Sequence, residues 1–322
     1  MVIGRKRGWE LPESAATDEA VFHDRRRLIQ AIAAGPILGS GLIGRIASAA
    51  AEGPDPSASL YPLKRDAKYT IGRPLTDQKF VSSYNNFYEF GTSKDIVGPA
   101  QALPLRPWEI KIDGMVEKPF TIGIDDLLKR MPLEERLYRH RCVEAWSFTV
   151  PWSGFAMKAL VDLAKPLGSA KYVKMETFMD PKVAPEQNKF FYPWPYVEGL
   201  TMAEANNELA FVATGMYGKP MPKQNGAPLR LVVPWKYGFK SVKSVVRFEF
   251  TDKRPKTYWA ELGPSEYGFW ANVNPAVPHP RWSQADERVI GTDQRVPTQI
   301  YNGYGEYVAS LYDGMKGEKL FM

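Results

Sequence analysis

The 322-residue chain contains one cysteine, Cys142, in the run Tyr138-Arg139-His140-Arg141-Cys142-Val143-Glu144-Ala145-Trp146-Ser147. A lone cysteine is most often a small buried apolar residue. Here Arg139 and Arg141 stand beside it with His140 between them. Positive charge favours the thiolate, which is the metal-binding form and suits soft or thiophilic centres. The only histidines are His23, His140 and His279, too few for a zinc site of ordinary composition. His140, Cys142 and His279 would meet the ligand count of a blue-copper site, but they are spread along the chain instead of gathered in one C-terminal loop.

Two other clusters carry polar chemistry. Gln224-Asn225-Gly226-Ala227-Pro228-Leu229-Arg230 runs into Pro234-Trp235-Lys236-Tyr237-Gly238-Phe239-Lys240-Ser241-Val242-Lys243. An Asn-Gly pair before an apolar run is a turn that exposes backbone N–H groups. Arg230, Ser241 and three lysines add donors suited to an anion such as a phosphate. A basic, solvated hairpin accounts for the spacing equally well. Neither GxGxxG nor GxxxxGK[ST] is present, which excludes the common nucleotide loops. The third cluster, Tyr84-Asn85-Asn86-Phe87-Tyr88-Glu89-Phe90, mixes amides and phenols with aromatics. It fits either a polar pocket in an apolar wall or a turn held by aromatic packing.

The elements that must position these residues are a mixture of strands and short helices. Trp108–Val116 alternates and predicts a strand; Ile122–Met131 has helical spacing with two aspartates in its first turn. Phe155–Ala164 predicts a short amphipathic helix and Lys171–Phe178 a strand. Pro228–Pro234 is an apolar run interrupted by Arg230, and Ser244–Thr251 alternates again. From Tyr258 to Arg281, Pro, Gly and Trp dominate, predicting a long structured loop. Residues 52 to 79 read as an extended lead-in over the surface. There is no internal repeat, and the pattern is α+β in one domain.

The N-terminal 51 residues read as an address. Arg25-Arg26 precedes a weakly apolar run ending near Gly44, followed by Arg45 and Ala47-Ser48-Ala49, a small-residue cleavage pattern. The run is too short to span a bilayer comfortably. This predicts a twin-arginine signal, and therefore a periplasmic protein exported folded, with a cofactor already inserted. One cysteine excludes an internal disulfide, consistent with a fold that depends on none. The formal charge of +6 falls to +4 without that segment, and basic residues form no dense run in the body, so nucleic acid is not an expected partner.

Together the segments resemble the molybdenum domain of the sulfite-oxidase family, and within it the catalytic subunits of periplasmic protein-methionine-sulfoxide reductases. The resemblance rests on YNNFYEFG from residue 84, RCVEAW from 141, PWSGF from 151, QNGAP from 224, VPWKYGFKS from 233, ANVNP from 271, HPRWSQA from 279 and ASLY from 309. It runs from about residue 80 to 314; the segments before it match only in kind. It implies a mixed-sheet, sulfite-oxidase-type molybdopterin-binding fold, with a single catalytic domain over residues 80–322.

The same resemblance implies that Cys142 is the thiolate ligand to molybdenum, beside the dithiolene of one molybdopterin per chain. Asn85, Tyr88, Glu89 and Thr177 would contact the cofactor. Asn225, Arg230 and the stretch Ser241, Val242 and Lys243 would hold the pterin and its phosphate, Ser241 and Val242 through their backbone. The chain lacks the extra dimerisation domain of larger sulfite oxidases and has no haem motif. A monomer is expected, fed by a haem-containing inner-membrane subunit, MsrQ, and the quinone pool, and acting on oxidised periplasmic proteins. The implied reaction is oxygen-atom transfer from methionine sulfoxide, with Glu89 and Tyr88 as candidate proton donors and Glu144 behind them. Two alternatives remain: a sulfite dehydrogenase, with Arg139 and Arg141 holding the anion, and a non-catalytic metal-binding or electron-transfer protein.

Overall fold

The computed structural model describes residues 55–70 and 72–322; the proposed signal segment lies outside them. Two sheets organise the described chain. In the first, β1 (Glu109–Gly114) pairs antiparallel with β2 (Phe120–Gly123). It pairs parallel with β10 (Val245–Thr251), which leads on through β5 (Tyr172–Thr177) to β6 (Val197–Thr201). The second sheet is built on β4 (Trp146–Ala156), which is buried almost throughout. One edge of β4 pairs with β3 (Glu134–Cys142) along its length. Its other edge pairs with β11 (Asp286–Val289) at the start and β7 (Phe211–Met216) at the end. The short strands β8 (Lys219–Pro220), β9 (Arg230–Val232) and β12 (Arg295–Pro297) complete it. One apolar core unites side chains from Tyr69 to Tyr312, as expected for a single α+β domain.

Most predicted elements are present with shorter bounds. The helix expected over Ile122–Met131 begins as β2 and turns helical only at Ile124–Arg130, with Asp125 and Asp126 in its first turn as read. The helix expected from Phe155 starts at Met157, because β4 runs on to Ala156. Its apolar face, Met157, Leu160, Val161 and Ala164, is buried, as the spacing requires. The loop expected from Tyr258 opens with a short helix, Tyr258–Leu262.

The stretch before residue 80 is largely irregular, but it does not merely lie over the surface. The Tyr61 hydroxyl donates to the Thr214 carbonyl at 2.9 Å, Arg65 bridges to Glu135, and the N–H of Thr76 donates to the Thr149 carbonyl at 3.0 Å. Its Arg73 pairs at 2.7 Å with Glu287, a carboxylate that is 1% exposed. The segment therefore closes polar groups of the second sheet that water would otherwise have to satisfy.

Candidate active site

Cys142 ends β3 at the tip of a tight hairpin: Cys142 pairs with Trp146, and the N–H of Ala145 returns to the Cys142 carbonyl at 3.1 Å. Ala145 takes a positive φ of 60°, the left-handed step that closes three-residue hairpin loops. Strand alternation then decides what Cys142 faces. His140 and Cys142 point to one side, with Trp146, Phe148 and Trp152 of β4, and line a cavity of about 390 Å³.

The same alternation carries Arg139 and Arg141 to the opposite side. Arg139 bonds Gln299, and Arg141, fully buried, bonds Glu287 at 2.9 Å and Gln284 at 2.8 Å. Of the two, only Arg141 favours the thiolate, and contrary to what the sequence suggested its charge does not outweigh burial. Burial pushes the Cys142 thiol up to about 12, the Glu144 carboxylate adds to that, and the Glu144 N–H and the charges of Lys94 and Arg141 offset only part. Left to itself the sulfur holds its proton; a bound metal would displace it. Nor do His140, Cys142 and His279 converge. His279 stacks on Trp282 at 3.8 Å, outside the cavity lining, and among the described residues no group of three or more His, Cys, Asp or Glu could hold a metal ion. A centre whose other ligands come from a cofactor needs only the one thiolate.

The second wall is the segment after the helix Gln78–Ser83. Asn85, Tyr88 and Glu89 all line the cavity, and Asn85 and Glu89 are buried. The Asn225 Nδ2 donates to Asn85 Oδ1 at 3.0 Å. Asn85 Nδ2 and Asn225 Oδ1 then have no partner among the described residues. Burial raises the Glu89 carboxyl well above the ordinary carboxylate range, against its backbone hydrogen bond, the Lys243 charge and the Thr177 hydroxyl. Burial likewise raises the Tyr88 phenol, helped by the charges of Glu144 and Cys142.

The third wall is the basic segment, and it is not a solvated hairpin. The turn Lys223–Asn225 ends at Gly226 with φ +101°, where a Cβ would sit 2.7 Å from the Lys243 Cβ. Only glycine allows both the left-handed conformation and that approach. Downstream, the segment is pinned by two buried ion pairs, Lys236 with Glu204 at 2.6 Å and Lys240 with Glu198 at 2.5 Å. The Tyr196 hydroxyl donates to the Phe239 carbonyl at 2.7 Å. Two of the three lysines therefore lock the loop and cannot serve an anion. The third does not pair: Lys243 makes no ion pair among the described residues, and its ammonium lies 5.7 Å from the Phe87 ring centroid. Burial and the charge of Arg230 lower its pKa. Arg230 is buried too, donating among the described residues to the carbonyls of Asn225, Leu231 and Ser241, and burial lowers its pKa to about 10.

A model of the family described as "Oxidoreductase molybdopterin binding domain" matches residues 98–259. The chain is 48% identical to the "Protein-methionine-sulfoxide reductase catalytic subunit MsrP" of Xanthomonas axonopodis pv. citri (strain 306), over 97% of this chain and 98% of that one. It is 46% identical to the protein of the same name from Burkholderia mallei (strain ATCC 23344), over 98% and 96%. The chain belongs to the MsrP family of molybdopterin-binding oxidoreductases. Among solved structures it is similar to the sulfane dehydrogenase SoxCD from Paracoccus pantotrophus, with a TM-score of 0.41 and 18% identity over 67% of this chain and 56% of that one.

The cavity walls fit a molybdopterin. Among the described residues Arg230 makes no ion pair, and Lys243 has only the charge of the Glu89 carboxyl acting on it. Buried cations held so weakly are costly unless an anion joins them, and a phosphate is such an anion. The unpartnered donor of Asn85 and acceptor of Asn225 suit the mixed edge of a pterin. Thr177 departs from this pattern: it lies outside the cavity lining, and its hydroxyl donates to the Lys243 carbonyl at 2.9 Å. Its place is behind Lys243, as a brace. Ser241 and Val242 line the cavity beside Lys243, and their N–H groups donate to the carbonyls of Gly238 and Lys240 at 3.1 and 3.0 Å, which fixes the turn that presents them.

Sequence reasoning passed over several residues of the site. Asn86 lines the cavity beside Cys142, although it stands in the quoted cluster next to Asn85. Trp259, Tyr267 and Trp282 form an aromatic wall, which the Trp-rich composition of the Tyr258–Arg281 loop could have signalled. Lys94 carried no signal, because only the fold brings it to Glu144, at 2.6 Å.

Proposed function

We propose that this protein reduces methionine sulfoxide in oxidised periplasmic proteins, with Cys142 as the protein ligand to its molybdenum centre. The observation that carries the reading is the cavity itself: one metal-binding thiol shares its lining with two buried cations, Arg230 and Lys243, that make no ion pair among the described residues, in a chain whose relatives are named as protein-methionine-sulfoxide reductases. When bound, the molybdenum cofactor supplies oxygen-atom acceptance and two-electron redox chemistry. Each sulfoxide consumes two electrons and two protons and yields a thioether and water.

The residues around the thiol supply the rest. Glu89 is buried enough to keep a proton near neutral pH and lines the same cavity as Cys142, which makes it the first candidate donor; Tyr88, also held neutral, is the second. Glu144 is a poor acid: burial raises its carboxyl, but hydrogen bonds from Lys94, Trp146 and Asn86 hold it below its ordinary value. Trp259, Tyr267 and Trp282 offer aromatic faces that suit a methionine side chain. The alternative of sulfite oxidation relied on Arg139 and Arg141, and both face away from the cavity.

Export folded through the twin-arginine route, electron supply from a haem-containing membrane subunit of the MsrQ type and the quinone pool, and a monomeric catalytic subunit complete the proposal. The export signal is supported by Arg25-Arg26 and Ala47-Ser48-Ala49. The test is elemental analysis of the exported protein, with turnover of methionine sulfoxide in an oxidised protein under a chemical reductant. Near one molybdenum per chain with turnover, both altered by Cys142→Ser, supports the reading. Turnover of sulfite but no sulfoxide, or a metal other than molybdenum, overturns it.

A further inference from the structure

Behind the thiol, Asn86, Lys94, Glu144 and Trp146 form one connected set of polar atoms. Two N–H donors approach the Cys142 sulfur: the backbone N–H of Glu144 at 3.5 Å and the side-chain Nδ2 of Asn86 at 3.7 Å. A side-chain amide can present either its oxygen or its nitrogen, and facing the sulfur with the oxygen would set a lone pair against a lone pair. Lys94 removes the choice. Its ammonium has three donors and no acceptor, and it donates to Asn86 Oδ1 at 2.5 Å. The same ammonium donates to Glu144 Oε2 at 2.6 Å, an oxygen that also accepts from Trp146 Nε1 at 2.8 Å and Asn86 Nδ2 at 3.3 Å. The Asn86 oxygen is thus taken by the lysine and its nitrogen is turned toward the carboxylate and the sulfur.

We infer that Lys94 is a positioning residue for the metal site, fixing through Asn86 and Glu144 the two N–H groups that point at the Cys142 sulfur. This rests on the reading of Cys142 as the molybdenum ligand. Hydrogen bonds to a ligating sulfur draw electron density from it and tune the metal it binds, and residues that orient such ligands commonly cost 10- to 100-fold when removed. The competing account is a partly exposed ion pair with no further role: Lys94 and Glu144 are 27% and 31% exposed, and exposed pairs contribute little to stability. The two accounts differ in what they predict at the metal.

The test compares the loaded parent enzyme with Lys94→Met, Lys94→Arg and Asn86→Asp. It reads molybdenum content, the sulfur-to-molybdenum charge-transfer absorption and the electron paramagnetic resonance of the half-reduced metal, together with kcat and KM. Lys94→Met should keep its molybdenum, shift the absorption and the resonance, and lose about 10- to 100-fold in kcat with KM little changed. Lys94→Arg, which keeps a donor-only cation, should recover most of the parent spectrum. Asn86→Asp, which puts an oxygen where the N–H stood, should shift the spectra in the same sense and serves if Lys94→Met does not fold. Fully loaded Lys94→Met and Asn86→Asp enzymes with parent spectra would overturn the inference. A Cys142→Ser enzyme with the parent absorption band would overturn the ligand reading instead, so the two failures are distinct.

Discussion

At the scale of single residues, the cavity separates groups that titrate from groups that hold. Glu89 is buried, and its raised pKa keeps it protonated above the range of an ordinary carboxylate. A general acid works in its protonated form, so kcat/KM for sulfoxide reduction should fall as pH rises through the Glu89 titration. Glu89→Gln should flatten that fall and cost about 10²- to 10⁴-fold in rate on its acid side; a parent pH profile in the variant would remove Glu89 from the role. Arg230 acts by holding. Its guanidinium donates to three backbone carbonyls, lies over the Trp152 ring and makes no ion pair among the described residues. Hydrogen bonds to charged groups are worth about 1.5–3 kcal/mol, so Arg230→Met should weaken cofactor retention roughly ten- to a hundredfold. Arg230→Lys should restore little, because a point charge does not replace a planar fork. Metal and pterin content after extended dialysis would read both variants.

At the scale of elements, what could be read from the chain followed how local the cause was. β1, β5 and β10 alternate or nearly so, and each lay within its predicted span. β3 and β4, which carry Cys142, were not read as strands. β4 is buried on both faces and shows no alternation, while β3 hides its pattern under Glu134, Glu135 and Arg136, of which Glu135 is paired across the fold by Arg65 and Arg136 by Glu134 on its own strand. The Asn225-Gly226 turn, in contrast, was legible because its cause is local. Gly226→Ala should strain the left-handed φ and push on Lys243, destabilising by more than about 1 kcal/mol and lowering cofactor content. Gly168→Ala, with open space around its Cβ and no left-handed φ, should do neither. Equal unfolding midpoints and equal loading for the two variants would show that the turn does not set the cradle.

At the scale of the whole molecule, the cavity draws its lining from positions between Val81 and Trp282, so cofactor binding and folding are coupled. A ligand that binds only the folded chain stabilises it by about 4 kcal/mol at a thousand times its Kd. At about 2–4 °C per kcal/mol for a chain of this order of size, that is roughly a 10 °C rise in unfolding midpoint. The pH dependence of that rise tests the cradle directly. The pKa of Lys243 is lowered in the folded chain, first by burial and then by the charge of Arg230. The unfolded chain therefore binds more protons between the folded value and about 10.4, the ordinary lysine value. In that window the stability of the cofactor-free fold rises with pH, and below it the full penalty is present. A bound phosphate beside Lys243 favours the charged lysine and removes the penalty. The gap in unfolding midpoint between loaded and cofactor-free protein should accordingly be wide near neutral pH and narrow as pH approaches 10. A gap that stays constant across that range would mean that Lys243 does not face the anion, leaving Arg230 to hold it alone.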